Sequence, residues 1–246
     1  MSFTLQVLKL TRNYGEKVAV DNISFNVEKG KMFGLLGPNG AGKSTTIKML
    51  TTLLPVTSGT AKVLDFDLIK QPGEVRKIIG YVPQLLSADG ELSGYENLQL
   101  SAKLYGLCAP KREKRISEVL EFMGLSDVAS QLVNQYSGGM IRRLEIAQAL
   151  VHEPQVLFLD EPTTGVDAVS RKEFWEMLQR LKQEGITILV STPYMDEASL
   201  CDQVALIQQG RILHIDTPGN IVNRFDKPLY AVRSDQMLSL LKELSE

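Results

Sequence analysis

Eight residues, Gly37-Pro38-Asn39-Gly40-Ala41-Gly42-Lys43-Ser44, fit the spacing G-x-x-x-x-G-K-[ST]. The chemistry of that spacing is phosphate binding. Glycines let the backbone curl until several N–H groups point at one phosphate chain. A helix that starts directly after the loop adds its positive end. Lys43 would place a point charge on the outer phosphates, and the Ser44 hydroxyl would ligate magnesium. A second group lies far along the chain. Val156-Leu157-Phe158-Leu159-Asp160-Glu161 is an apolar run ending in two carboxylates. An acid carried by a strand to a phosphate loop can hold magnesium, directly or through water, and the next acid can activate an attacking water. A third group, Tyr136-Ser137-Gly138-Gly139-Met140, sets a serine and two glycines at the start of a helical pattern. That is another anion-binding arrangement.

These groups need elements to hold them. A strand is predicted over 32–36, feeding the loop, and a helix over 43–53, leaving it. Earlier, 5–10 reads as a strand, and Ile23, Phe25 and Val27 alternate with polar residues as a half-buried strand does. Pro55 and Gly59 interrupt before a short strand at 61–64, and the β-branched run at 78–82 is closed by Pro83-Gln84. From 85 to 135 the strand signal fades. Ser93 and Glu96 have capping-box spacing, and Gly106 can end that helix. Ile116, Val119, Leu120 and Met123 then recur at helical spacing before Gly124. The stretch reads as a helical insertion. Strands return at 156–159 and 186–190, separated by a helix whose apolar face is Phe174, Met177, Leu178 and Leu181; Trp175 is expected to pack. A hairpin is predicted at 204–207 and 211–215, then a strand at 229–232 and a helix from Asp235. Parallel runs alternating with helices predict a three-layer α/β core.

A chain of 246 residues with net charge −2 makes one large domain, or a domain with a subdomain, and lacks the strongly basic balance of a nucleic-acid binder. The basic cluster at 111–115 is expected to be a solvated helix face. Cys108 and Cys201 are far apart and form no C-x-x-C pair, which fits free thiols in a reducing compartment. No signal-peptide pattern opens the chain, and no apolar run has the length of a membrane span. The expectation is a soluble, cytoplasmic chain that reaches a membrane only through a partner.

Phosphate loop, Ser-Gly-Gly at a helix start and apolar strand with Asp-Glu, in this order and spacing, resemble the ATP-binding subunit of an ABC transporter. The likeness covers about 1–224. The stretches 34–46 and Tyr194-Met195-Asp196-Glu197-Ala198 are similar to the multidrug and antibiotic-resistance exporter branch, in which a separate ABC-2 type permease forms the pore. The resemblance implies an α/β fold: a P-loop NTPase core, an N-terminal antiparallel β subdomain and an inserted α-helical subdomain. It implies an ATP-binding domain over 1–228, helical over about 85–135, with a short extension at 229–246. It also implies ATP and Mg2+ as cofactors. Tyr14 would stack on the adenine. Gly37, Pro38, Asn39, Gly40, Ala41, Gly42, Lys43, Ser44 and Thr45 would wrap the phosphates. Gln84 would sense magnesium and water and couple to the permease. Ser137 and Gly139 match the family signature, although Tyr136 and Met140 depart from its commonest Leu and Gln. Ser44, Gln84 and Asp160 would hold the metal, Glu161 would be the general base, and Asp167 would lie in the loop that crosses between subunits. Two such subunits, identical or different, would close head to tail, so that Ser137 of one covers the phosphate on Lys43 of the other. The chain would sit on the inner face of the cell membrane, and no nucleic acid is expected as a partner.

One departure bears on rate. The family usually carries a histidine after the strand at 186–190, where this chain reads Ser191-Thr192-Pro193-Tyr194. Proline offers neither a side-chain donor nor an N–H. The expectation is tight MgATP binding with slow basal hydrolysis, unless a hydroxyl of Thr192 or Tyr194 stands in. Two other readings remain beside the exporter motor. One is a weakly hydrolysing regulatory subunit. The other is a soluble ABC protein acting on nucleic acid or ribosomes, for which the usual coiled-coil insertions or fused second half are missing from this sequence.

Overall fold

The computed structural model describes residues 3–223. Two long N-terminal strands, β1 (Phe3–Tyr14) and β2 (Lys17–Glu28), pair antiparallel and join β4 (Ser58–Val63) and β5 (Phe66–Asp67) in a four-stranded sheet of order β2-β1-β4-β5. The second sheet has order β10-β9-β3-β8-β7-β6 and comprises β3 (Met32–Leu36), β6 (Ile79–Val82), β7 (Val156–Asp160), β8 (Thr187–Thr192), β9 (Gln203–Gln208) and β10 (Arg211–Asp216). Its β6-β7-β8-β3-β9 portion is parallel, and β10 returns antiparallel from β9.

The unbroken apolar character of β3 and β7 follows from burial on both faces. Successive side chains point to opposite sides of a strand. Phe33, Leu35, Phe158 and Leu189 therefore pack toward the antiparallel sheet and α1 (Lys43–Leu50), with Leu5, Val7, Phe25, Ile47 and Leu50. Met32, Leu36, Leu157, Leu159, Ile188 and Val190 pack the other way, against the remaining helices. Trp175, on α6 (Ala168–Gln183), is 3% exposed and belongs to that second core, so of its two readings, helix surface or packing, the structure shows packing.

The inserted block holds α3 (Gly94–Leu104), α4 (Ala109–Met123) and two short 3-10 turns, with α5 (Gly138–Leu150) packed against both helices. The Ser93–Glu96 capping box forms on α3, and Gly124 ends α4 in the left-handed conformation at φ 65°. Tyr136 packs in this block, and its hydroxyl donates to Val128 O at 2.8 Å. A Cβ on Gly94 would come within 2.3 Å of that hydroxyl.

Helix α1 stops at Leu50, short of the expected 53, and β8 extends two polar residues beyond Val190. The helix α2 (Pro72–Ile78) was not anticipated: Gln71-Pro72-Gly73 reads as a turn, but proline also suits the first helical position. Two further short helices, α7 (Met195–Ala198) and α8 (Pro218–Asn223), complete the described chain. The strand expected at 229–232, the helix from Asp235 and the 229–246 extension lie outside the described residues. Among the described residues, no helix is long and apolar enough to cross a membrane.

Candidate active site

The phosphate loop is held in place from three directions. β3 runs between β8 and β9, so the loop leaves the middle of the parallel sheet. A Cβ on Gly37 would lie 2.1 Å from Ile207 O, and Gly42, at φ 105°, would carry one 2.7 Å from Ala19 O. Only glycine fits either place. Gly210, in the turn between β9 and β10, donates its N–H to Ala41 O at 2.9 Å and accepts from Asp21 N at 2.8 Å. The loop backbone is thereby fixed before any ligand arrives.

Lys43 opens α1 and is buried, 3% exposed. Its ammonium donates to Gly37 O at 2.8 Å and Pro38 O at 3.1 Å, and pairs with Glu161 Oε1 at 3.0 Å. The other oxygen of Glu161 accepts from the Gln84 side-chain amide at 3.0 Å. The next residue of α1, Ser44, donates to Asp160 Oδ1 at 2.9 Å, and Ser191 Oγ donates to the same oxygen at 2.7 Å. Adjacent residues of a strand point apart, yet Asp160 and Glu161 both reach α1. The reason is the backbone: Glu161 is left-handed at φ 45°, so the chain turns directly after β7. Its N–H is held by Ser191 Oγ at 2.9 Å and Ser191 O at 3.2 Å.

Burial pushes the Asp160 carboxyl above its usual range, while the Ser191 and Ser44 hydroxyls pull it back and Glu161 raises it further. The Tyr81 phenol nearby is pushed up to about 12, by burial first and the Asp160 charge second. Ser44 and Asp160 are oxygen ligands of the kind magnesium takes, and no three acidic, histidine or cysteine side chains converge as a metal cage among the described residues. Such a site suits an ion that arrives with phosphates and uses one or two protein oxygens.

An open cavity of about 850 Å³ covers the group, lined by Tyr14, Asn39, Lys43, Ser44, Gln84 and Glu161 among others. Gly40, Gly42 and Thr45 also line it. Gly37, Pro38 and Ala41 do not: the first two turn carbonyls onto Lys43, and Ala41 is buried. Asp160 sits behind Ser44, 1% exposed. Tyr14 is 48% exposed at the cavity edge, with the Arg12 guanidinium 4.7 Å from its ring centre. Ser137 and Gly139 are absent from the lining. Ser137 instead caps α5, accepting from Met140 N at 3.2 Å. Asp167 caps α6 through Val169 N and Ser170 N, both at 3.0 Å; the Ser170 hydroxyl first, and then these N–H groups, hold its carboxyl below the usual range.

The ABC transporter family model matches residues 20–164, which run from β2 through the phosphate loop to the turn after Glu161. The chain belongs to this family. It is 42% identical over 217 residues to the probable multidrug ABC transporter ATP-binding protein YbhF of Escherichia coli, covering 88% of this chain but only 38% of that protein. It is 41% identical over 221 residues to the linearmycin resistance ATP-binding protein LnrL of Bacillus subtilis, covering 89% of this chain and 71% of that one. Among solved structures, cbiO1 from Clostridium perfringens, part of the ABC transporter complex cbiONQ, superposes with a TM-score of 0.81 at 29% identity, covering 91% of this chain and 92% of that one. The ABC fold, with its P-loop ATPase core and nucleotide site, accounts for the two sheets and the helical block described above.

Of the two hydroxyls named beside Pro193, that of Thr192 is already engaged: it donates to Glu197 Oε2 at 2.5 Å, accepts from Tyr194 N at 3.0 Å and is fully buried. Glu197 is the residue sequence reading passed over here. It is 2% exposed and also accepts from Thr163 Oγ1 at 2.6 Å, with Arg171 Nε at 3.6 Å, so it ties the turn after β7 to the turn after β8. Its five-residue spacing from Thr192 carried no signal. Ser191 was likewise missed, since a serine at a strand end looks like a loop residue.

Proposed function

We propose that the chain is the ATP-hydrolysing subunit of an exporter, working on a separate ABC-2 type permease as one of a pair of ATP-binding subunits. The observation that carries this reading is the convergence of Lys43, Glu161 and Gln84 at one cavity, with Ser44 and Asp160 beside them. The names of the relatives, multidrug and linearmycin resistance, support export rather than work on nucleic acid or ribosomes.

Phosphates entering the loop compete for Lys43. The ammonium leaves Glu161 for the outer phosphates, and this frees a Glu161 oxygen to accept a proton from water. The water oxygen attacks the terminal phosphorus in line, the bond to the leaving ADP oxygen breaks, and the Glu161 carboxylate takes the water proton. Loop amides and Lys43 stabilise charge on the transferring oxygens. Magnesium, bound by Ser44 and Asp160 with Gln84 nearby, would neutralise the phosphate charge. Tyr14 supplies an exposed ring at the cavity edge for adenine, where stacking needs no specific hydrogen bond.

Ser137 and Gly139 do not line the cavity of their own chain, which fits a role across a dimer interface, over the phosphates of a second subunit. Leu85, Leu86 and Leu104 are 81%, 56% and 79% exposed on or beside the helical block, which supports that block as the face that meets the permease. The subunit would then be peripheral on the cytoplasmic side of the membrane. Phosphate release by the purified chain, lost in Glu161→Gln, together with co-purification of a polytopic membrane protein, tests the proposal. Absence of phosphate release both alone and in native membranes would sink it. Pro193 keeps slow hydrolysis as the second reading, with the Thr192 hydroxyl already engaged.

A further inference from the structure

Helix α5, capped by Ser137, carries two buried charged side chains that do not themselves line the nucleotide cavity. Arg142 and Glu145 stand one turn apart, 3% and 2% exposed, with Arg142 Nη1 at 2.7 Å from Glu145 Oε2. Removing two charges from water costs about as much as their attraction returns, so burial of the pair is explained by what else it holds. The guanidinium donates to Pro83 O at 3.0 Å and to Gln84 O at 2.5 Å. The second oxygen of Glu145 accepts from the Ser87 backbone N–H and from its hydroxyl, the latter at 3.0 Å. The pair thus grips the main chain on both sides of Gln84, whose side-chain amide reaches Glu161.

We propose that Arg142 is a positioning residue for ATP hydrolysis. With Glu145 it fastens the Gln84 loop to the helix that begins at Ser137, so that the Gln84 amide and the Ser-Gly-Gly end travel as one body. The inference deepens the ATPase reading and rests on it for its catalytic consequence. A planar fork is needed to reach two carbonyls and a carboxylate together; the point charge of lysine cannot do so. The geometry also gives dimer closure a mechanical route. Any force on the Ser137 end of α5 reaches the Gln84 loop through four hydrogen bonds.

Two measurements on the full chain separate the inference from the reading beneath it. The first is hydrogen exchange without nucleotide. Arg142→Ala should speed exchange across 83–88 about five-fold or more and leave 37–45 unchanged. Unchanged protection of 83–88 overturns the inference, whatever the ATPase does. The second is steady-state phosphate release. Arg142→Ala should lower kcat about 10- to 100-fold, as small misplacements near a reacting centre do, with KM within about two-fold. Arg142→Lys should not rescue it, and Arg142→Ala combined with Gln84→Ala should be no slower than Gln84→Ala alone. Multiplied losses in the double variant, or a raised KM, would assign Arg142 to fold maintenance and overturn the proposal. A parent chain that releases no phosphate either alone or in native membranes, while 83–88 loosens in Arg142→Ala, supports the clamp and overturns the ATPase reading.

Discussion

Two helices of this molecule begin at glycine-rich loops, and they are finished to different degrees. Helix α1 follows Gly42 with no side-chain cap; its lysine is buried, and its serine meets a carboxylate from β7. Helix α5 follows Ser137, which caps it, and its first turn holds no acid. Ser137 and Gly138 are exposed, and neither lines the nucleotide cavity. The first end gathers a buried lysine, a serine and two carboxylates; the second offers an exposed serine and glycines. Within the proposed function, one chain therefore carries a complete reaction site and a bare lid for someone else's.

Substitutions can break that contrast. The largest effect belongs to Lys43→Ala, which removes the ammonium that the loop carbonyls hold; MgATP affinity should fall about 100-fold or more, since each charge-assisted bond contributes about 1.5–3 kcal/mol. Fluorescence titration reads it, and an unchanged affinity would show that α1 is not the nucleotide end. Next comes Glu161→Gln, which keeps shape but cannot take a proton. Turnover should drop about 10²- to 10⁴-fold, and light scattering with MgATP should find a trapped dimer; a monomer at every concentration tested would count against the shared site. Gly138→Asp sharpens the contrast further. A Cβ there meets nothing within 4 Å, and an acid in the first turn suits the helix dipole, so the fold should be as stable or slightly more so. ATP should bind the single chain as before while the ATP-driven dimer disappears, because the new carboxylate would face phosphate. Retained dimerisation would mean α5 caps no phosphate. Smallest is Thr192→Val, which takes a donor from the buried Glu197 and should lower stability by about 1–3 kcal/mol in a denaturant melt. Single-turnover hydrolysis in that variant should hold close to the parent rate, whereas Pro193→His should accelerate it if a donor is what the site lacks.

Much of the reaction site was legible because its chemistry is local. The loop from Gly37 to Ser44 is contiguous, Asp160 and Glu161 are adjacent, and Ser93 and Glu96 cap a helix from three residues apart. A lone tyrosine between strands is more often core, whereas Tyr14 is exposed at the cavity edge. What escaped was assembled across distance. Arg142 and Glu145, three apart on a helix, read as one more surface ion pair; their burial depends on a loop about 60 positions earlier. Glu197 lies in a motif used for the resemblance, yet its partners come from three other elements: Thr163 in the turn after β7, Arg171 on α6 and Thr192 at the end of β8. The buried Ser191 and Thr192 carry no apolar pattern, so β8 ended too early on paper. The Lys43–Glu161 pair is a further case, since both residues were assigned to nucleotide and water, and neither role implies that they would hold one another.

The place of β3 in its sheet has a consequence for synthesis. The phosphate loop at 37–44 is translated well before the strands beside β3, which are residues 187–192 and 203–208, and Gly210 ties off Ala41. A growing chain therefore carries the loop as unsupported backbone until those strands emerge, roughly ten to thirty seconds later at ~5–20 residues per second. ATP cannot chaperone the early stages of folding; it can only select chains that have already closed the sheet. Nascent chains stalled before residue 200 should pass over immobilised ATP without retention, and chains extended beyond 216 should begin to bind.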